Sequence, residues 1–204
     1  VPPTMTFGNL RIEYDDRVLE PRAWTALQSE WAADLLAEAP PGPVLELCSG
    51  AGHIGLLAVS GHRRRLVCVD DSAAAAELAR RNADAASLGD LVEVRQRDLK
   101  DAVEDDERFA LVVADPPWVP SDETDRHPED PPAAIDGGPD GLDGARTCVA
   151  VARDHLLPGA SLLLQLGSRR QADDLARELP DLELAEVRQG EGGVVARFRP
   201  TTTG

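Results

Sequence analysis

The chain has 204 residues, enough for one domain with a good core, and a formal net charge of −16 from 37 acids against 21 Lys and Arg. A balance this acidic, with no basic tail, speaks against duplex nucleic acid, whose binding draws much of its affinity from Lys and Arg on phosphates; the one basic cluster, Arg63-Arg64-Arg65, reads as a helix end. No signal peptide is read and no apolar run approaches the roughly 18 residues of a membrane span, so a cytoplasmic protein that touches no membrane is expected.

Trp24, Leu27, Trp31 and Leu35 recur at helical spacing, which predicts an amphipathic helix near 24–38 with its tryptophans in the core. Pro40-Pro41-Gly42-Pro43 ends that helix. Residues 1–42 are read as an N-terminal segment with its helix, 43–200 as the main domain and 201–204 as a tail. The first central strand, near 44–48, carries Glu46 near its end. The turn Cys48-Ser49-Gly50-Ala51-Gly52 then opens a helix near 53–61. Gly50 and Gly52 allow positive φ and close approach of a ligand to the backbone. Some 20 residues further on, the strand near 66–70 ends in Asp70-Asp71, the usual spacing for a carboxylate on ribose hydroxyls. Either acid could instead cap the helix that follows from Ser72. Gly50-x-Gly52-x-x-Gly55 fits a dinucleotide fingerprint literally. Glu46 points the other way: an acid before the turn repels a pyrophosphate and suits the cationic end of S-adenosylmethionine (SAM). His53 follows the turn, with cofactor contact, capping and exposure all open.

A third strand, near 91–95, leads to Asp98 and Leu99. Asp98 can accept from an exocyclic adenine NH2 or serve as a turn residue. The apolar run Phe109–Ala114 forms a fourth strand, followed by Asp115-Pro116-Pro117-Trp118. Ligands of open α/β sheets bind outside such strand ends. The two prolines lock φ and remove two N–H groups, which leaves nearby carbonyls free to accept. An acceptor carboxylate, free carbonyls and a flat aromatic wall suit a planar NH2 group; a strand-end turn with a buried Trp is the plainer alternative. Residues 116–140 are rich in Pro, Asp and Gly, and read as a substrate-binding lid. A helix near 142–156, a strand at 160–166, a helix at 169–179 and strands near 182–188 and 193–199, with a tight turn at Glu191-Gly192-Gly193, complete a doubly wound α/β domain. Cys48, Cys68 and Cys148 are not spaced as metal ligands, and no metal is expected. They read as reduced, buried thiols.

Together these segments resemble the class I SAM-dependent methyltransferases of the HemK-like group, the protein-glutamine N5-methyltransferases and their relatives. Glu46–Gly52 resembles the group's D/E-x-G/C-x-G-x-G loop, and Asp115-Pro116-Pro117-Trp118 its Asn-Pro-Pro-Tyr. Ala134-Ile135-Asp136-Gly137-Gly138-Pro139-Asp140-Gly141-Leu142 resembles its A-L-x-G-G-x-x-G-L segment, and Glu20-Pro21-Arg22-Ala23-Trp24-Thr25 its E/I-P-R/A-x-x-T segment. The resemblance implies a Rossmann-like fold: a seven-stranded, mostly parallel sheet with helices on both faces and an antiparallel C-terminal strand. It implies SAM as cofactor and S-adenosyl-L-homocysteine as product. Glu46, Cys48, Gly50, Gly52, Asp70, Asp71, Asp98, Leu99 and Asp115 would bind the cofactor. Asp115, Pro116, Pro117 and Trp118 would be catalytic; Pro21, Arg22, Thr25 and Trp118 would bind the acceptor. Two departures stand out. Asp115 and Trp118 replace Asn and Tyr, a form also used by adenine-N6 methyltransferases of DNA and RNA. The length read here is also expected to leave no room for the helical domain that precedes the catalytic one in bacterial release-factor methyltransferases. Members without that domain often need a small activating partner protein. The resemblance and the charge together imply a protein or peptide acceptor, with adenine or a small molecule as alternatives.

Overall fold

The structure is a computed structural model describing residues 2–201; past Thr201, the tail expected at 201–204 lies outside the described residues. The central strands are largely apolar because both of their faces are covered. In β6, Phe109–Ala114, residues Val112 and Ala114 join one core while Leu111 and Val113 join the other. The same division runs through β3, Val44–Leu47, where Leu45 and Leu47 face one side and Val44 the other. Between the two in sequence, though not in the sheet, come β4, Leu66–Asp70, and β5, Val92–Gln96. In strand order the sheet reads β5-β4-β3-β6-β7-β9-β8. Here β7 is Leu156–Leu166, β8 Leu182–Gln189 and β9 Val194–Pro200. In this sheet β9 alone runs opposite to the other six strands. This is the seven-stranded, mostly parallel sheet expected.

Helices α1 (Ala26–Leu36), α2 (His53–Ser60) and α3 (Ala73–Ala85) cover one face, with Trp31, Leu36, Ile54, Leu56 and Leu78 in its core. A short α4 (Pro132–Ile135) lies within the segment after β6. The other face is covered by α5 (Asp143–Arg153) and α6 (Arg169–Arg177), through Ala145, Cys148, Val149 and Leu175. Among the described residues no helix is long and apolar enough to cross a membrane.

Three differences from expectation have local causes. A hairpin of β1 (Thr4–Phe7) and β2 (Leu10–Glu13) precedes everything else, burying Phe7, Leu10 and Ile12 beside α2 and α3. The predicted start of the first helix is a 3-10 turn, Ala23–Thr25, and Trp24 stays half-buried against Gly192, so only Trp31 is a core tryptophan. The predicted 142–156 helix ends at Arg153, since β7 begins at Leu156 and pairs with Phe109 across a register shift.

The register sets the site. Leu47 lies beside both Val69 and Ala114. The next residues, Cys48, Asp70 and Asp115, therefore leave the sheet at one level. Chain order reverses between β3 and β6, the switch point where open α/β sheets hold ligands.

Residues 116–140 are a folded excursion. Its base is closed by Val119 N–H donating to Ile135 O (2.9 Å) and Gly137 N–H to Val119 O (2.8 Å). Gly141 has φ +74°, and a Cβ there would stand 2.3 Å from Trp118 O. The glycine segment thus packs backbone to backbone on the Pro-Pro-Trp corner. Gly141→Ala should destabilise the protein by about 1–3 kcal/mol from the positive φ alone. Denaturant unfolding checks this, and a loss below about 0.5 kcal/mol would contradict the close approach.

Candidate functional site

The strand ends open into a cleft of about 580 Å³, within the range of ordinary ligand pockets. On one side lies the glycine turn. Gly50 has φ +50°, and a Cβ there would meet nothing within 4 Å, so the backbone faces open space. Its N–H donates to Asp70 Oδ2 at 2.8 Å, while Ser72 N–H donates to Asp70 Oδ1 at 3.0 Å. Asp70 therefore fixes the turn and keeps lone pairs for a ligand, since a carboxylate has about four acceptor positions. Burial raises its pKa above the usual carboxylate range. The helix that follows is capped by the Ser72 hydroxyl, so neither acid serves as its side-chain cap. Asp71 is exposed at the cleft edge. Asp98 and Leu99 also line the cleft. Asp98 Oδ1 accepts from Lys100 N–H at 2.9 Å, so the turn role and a free second oxygen coexist.

Asp115 lies in the same cleft. Among the described residues, nothing donates a hydrogen bond to its carboxylate or to the Pro116 carbonyl. Burial pushes its pKa up to about 7. If the carboxylate must be ionised to accept an N–H, kcat/KM for the acceptor should rise from about pH 6 to about pH 8. Asp115→Asn keeps an acceptor oxygen without the titration. It should therefore flatten that limb, and an unchanged limb in Asp115→Asn would assign it to another group.

Cys48 adopts φ +56°, which turns its side chain toward α5, with Sγ 3.9 Å from Cys148 Sγ. Cys68 is buried, and the three thiols are free. Pro21, Arg22 and Thr25 line the cleft too. Arg22 pairs with Asp130 of the 116–140 excursion, and Pro131, Ala133 and Ala134 reach the same space. That segment thus forms part of the cleft wall.

Four expected site residues are not brought to the cleft wall. Glu46 is 2% exposed and points to the α1–α3 side, sharing the strand parity of Val44. It accepts from Gly55 N–H at 3.0 Å and from the Cys68 thiol at 3.3 Å. Burial raises its pKa to about 7. Its observed role is to brace the start of α2 behind the glycine turn. Gly52 is the N-cap of α2, with φ +78°. Pro116 is buried. Trp118 turns away from the cleft: its ring packs over Gly167, where a Cβ would come within 2.5 Å of Cε3. With φ fixed through two prolines, Pro117 faces the cleft and the indole takes the slot that Gly167 leaves. The expected aromatic wall is therefore not formed by Trp118.

His53 settles as a buried residue of the cleft. Its Nε2 is 3.3 Å from Thr25 Oγ1, its ring meets Phe7 edge-on, and burial lowers its pKa to about 4, so it is neutral. Two further residues carried readable signals. Gln28 is a polar residue on the buried helical stripe between Trp24 and Trp31. Gln171 stands three residues after Ser168, in capping-box spacing.

Residues 28–128 match the family described as methyltransferase small domain. The chain is 34% identical over 194 residues to the ribosomal protein uL3 glutamine methyltransferase of Bradyrhizobium diazoefficiens, covering 88% of this chain and 60% of that protein. It is 34% identical over 203 residues to the release factor glutamine methyltransferase of Deinococcus radiodurans, covering 97% of this chain and 68% of that protein. The fold matches the crystal structure of an RNA methyltransferase from Salinibacter ruber in complex with S-adenosyl-L-homocysteine, with a TM-score of 0.55 and 23% identity, over 92% of this chain and 97% of that one.

Proposed function

We propose, from the premise that this chain belongs to the HemK-like family of glutamine methyltransferases, that it transfers a methyl group from SAM to the side-chain amide nitrogen of a protein glutamine. The observation that carries the reading is the Asp115 carboxylate. It lies unsatisfied in the cleft that also holds the Gly50 turn and Asp70.

The residues present fit SAM. Gly50 offers open backbone, Asp70 and Asp71 offer carboxylates for a ribose, and Asp98 has a free oxygen for an adenine amine. SAM supplies a methyl on a sulfonium, which needs no further activation by the protein. What the chain contributes is binding, orientation and exclusion of water. An amide nitrogen is a poor nucleophile because its lone pair is delocalised into the carbonyl. Asp115 Oδ accepts one N–H of the acceptor. That bond holds the NH2 and stabilises the positive charge that grows on nitrogen as it loses planarity. No residue need take the proton before transfer.

Both relatives are named for protein components of translation, which supports a protein acceptor and a cytoplasmic setting for this chain. The net charge of −16 supports the same choice over nucleic acid. Labelled SAM incubated with cell extract and this chain tests the reading. Label should survive nuclease and be lost to protease. Label lost to nuclease would move the acceptor to an adenine amine, which a carboxylate at position 115 rather than an amide would favour. Repeating the assay with purified acceptor, with and without extract, tests for a small activating subunit.

A further inference from the structure

Two glutamine side chains from helices on opposite faces of the sheet grip the Asp115–Trp118 corner, one at each end. The corner needs outside support, because Pro116 and Pro117 have no N–H with which to anchor it. Gln28, on α1, is fully buried. Its Nε2 donates to Ala114 O at 2.9 Å, the carbonyl immediately before Asp115, and to Leu163 O of β7 at 3.1 Å. Its Oε1 has no partner, an arrangement that core packing alone disfavours. Gln171, on α6, takes the other end. Its Nε2 donates to Trp118 O at 2.9 Å, Asp140 O at 3.1 Å and, more weakly, Gly141 O at 3.4 Å. Its Oε1 accepts from Gly167 N–H at 2.9 Å and Ser168 N–H at 3.1 Å. One amide thus joins the corner, the glycine segment and the end of β7.

We propose that Gln28 and Gln171 are positioning residues for methyl transfer: by fixing the carbonyls on either side of the Asp-Pro-Pro sequence, they set where the Asp115 carboxylate meets the acceptor NH2. The proposal rests on the reading of Asp115 as the acceptor's hydrogen-bond partner. Both side chains act through the backbone and need not touch acceptor or cofactor. The cofactor turn, held by Asp70, does not depend on them.

Gln171→Glu separates this role from helix capping. A Glu keeps the oxygen that accepts from Gly167 and Ser168, and so keeps the capping box. It loses both donors and sets a carboxylate against three carbonyls. Gln28→Met fills a similar volume without donors. In Gln171→Glu, amides Val119, Gly137 and Gly141 should exchange with solvent about tenfold faster, with α6 amides unchanged. In both variants turnover on a protein acceptor should fall about tenfold or more, with acceptor KM and SAM affinity within about twofold. Unchanged exchange in Gln171→Glu, unchanged turnover in that variant, or an equal loss of SAM affinity would each overturn the proposal. Should Gln28→Met fail to fold, Gln171→Glu decides alone. A wild-type chain that methylates no protein refutes the acceptor reading instead, and the exchange pattern still shows whether Gln171 holds the corner.

Discussion

Asp115→Ala will lower turnover by about 10²–10³-fold while SAM affinity stays within about twofold, the loss expected when one preorganised partner of a developing charge is removed. The reasoning is geometric. Asp115 leaves the sheet one residue beyond Ala114, level with the glycine turn that follows Leu47, and among the described residues nothing donates to its carboxylate. Replacing it therefore removes an acceptor from the cleft without unpicking a structural bond. Burial pushes its pKa up to about 7, so the variant also sheds a group that is costly to ionise, and folding should not suffer. Asp115→Asn restores an oxygen in the same place and should recover most of the rate. Steady-state kinetics beside a calorimetric SAM titration reads both quantities. Equal losses of rate and SAM affinity in Asp115→Ala would make Asp115 a cofactor or folding residue.

Asp70→Ala should show the reverse pattern, with SAM affinity weaker by about 1.5–3 kcal/mol, or roughly 10- to 100-fold. Asp70 both offers lone pairs to the cleft and holds Gly50 N–H and Ser72 N–H. On the proposed reading, losing it removes a ribose acceptor and loosens the turn together. Asp71→Ala, at an exposed side chain, should change affinity by less than about threefold. The same titration on both variants decides the matter: if Asp71→Ala proves the more damaging, the ribose belongs to Asp71.

The central sheet was legible because strands buried on both faces are largely apolar. Val44–Leu47, Leu66–Val69 and Phe109–Ala114 announce themselves in that way. Acids and glycines at their ends then mark the binding edge, and register brings those ends level. Less legible was anything whose direction depends on a distant neighbour. Trp118 turns from the cleft because Gly167, far along the chain, leaves a slot for its ring. The orientation of Glu46 was written in strand parity with Val44, and its chemistry follows from Gly55 and Cys68. The N-terminal hairpin carried its signal in Met5, Phe7, Leu10 and Ile12 around Gly8-Asn9. Its strands alternate apolar with polar residues because only one face is buried, so an apolar-run criterion passes over them. Gln28 and Gln171 illustrate a further limit, since a side chain bonded to remote carbonyls leaves only a polar residue in a buried stripe or a cap spacing as its trace.

The most direct test is peptide mapping by tandem mass spectrometry of a release factor or ribosomal protein uL3 incubated with this chain and SAM. A single added methyl on a glutamine side chain, absent with Asp115→Ala, is the predicted result. A methyl on any other residue type, or the same glutamine methylated equally well by Asp115→Ala, would contradict it.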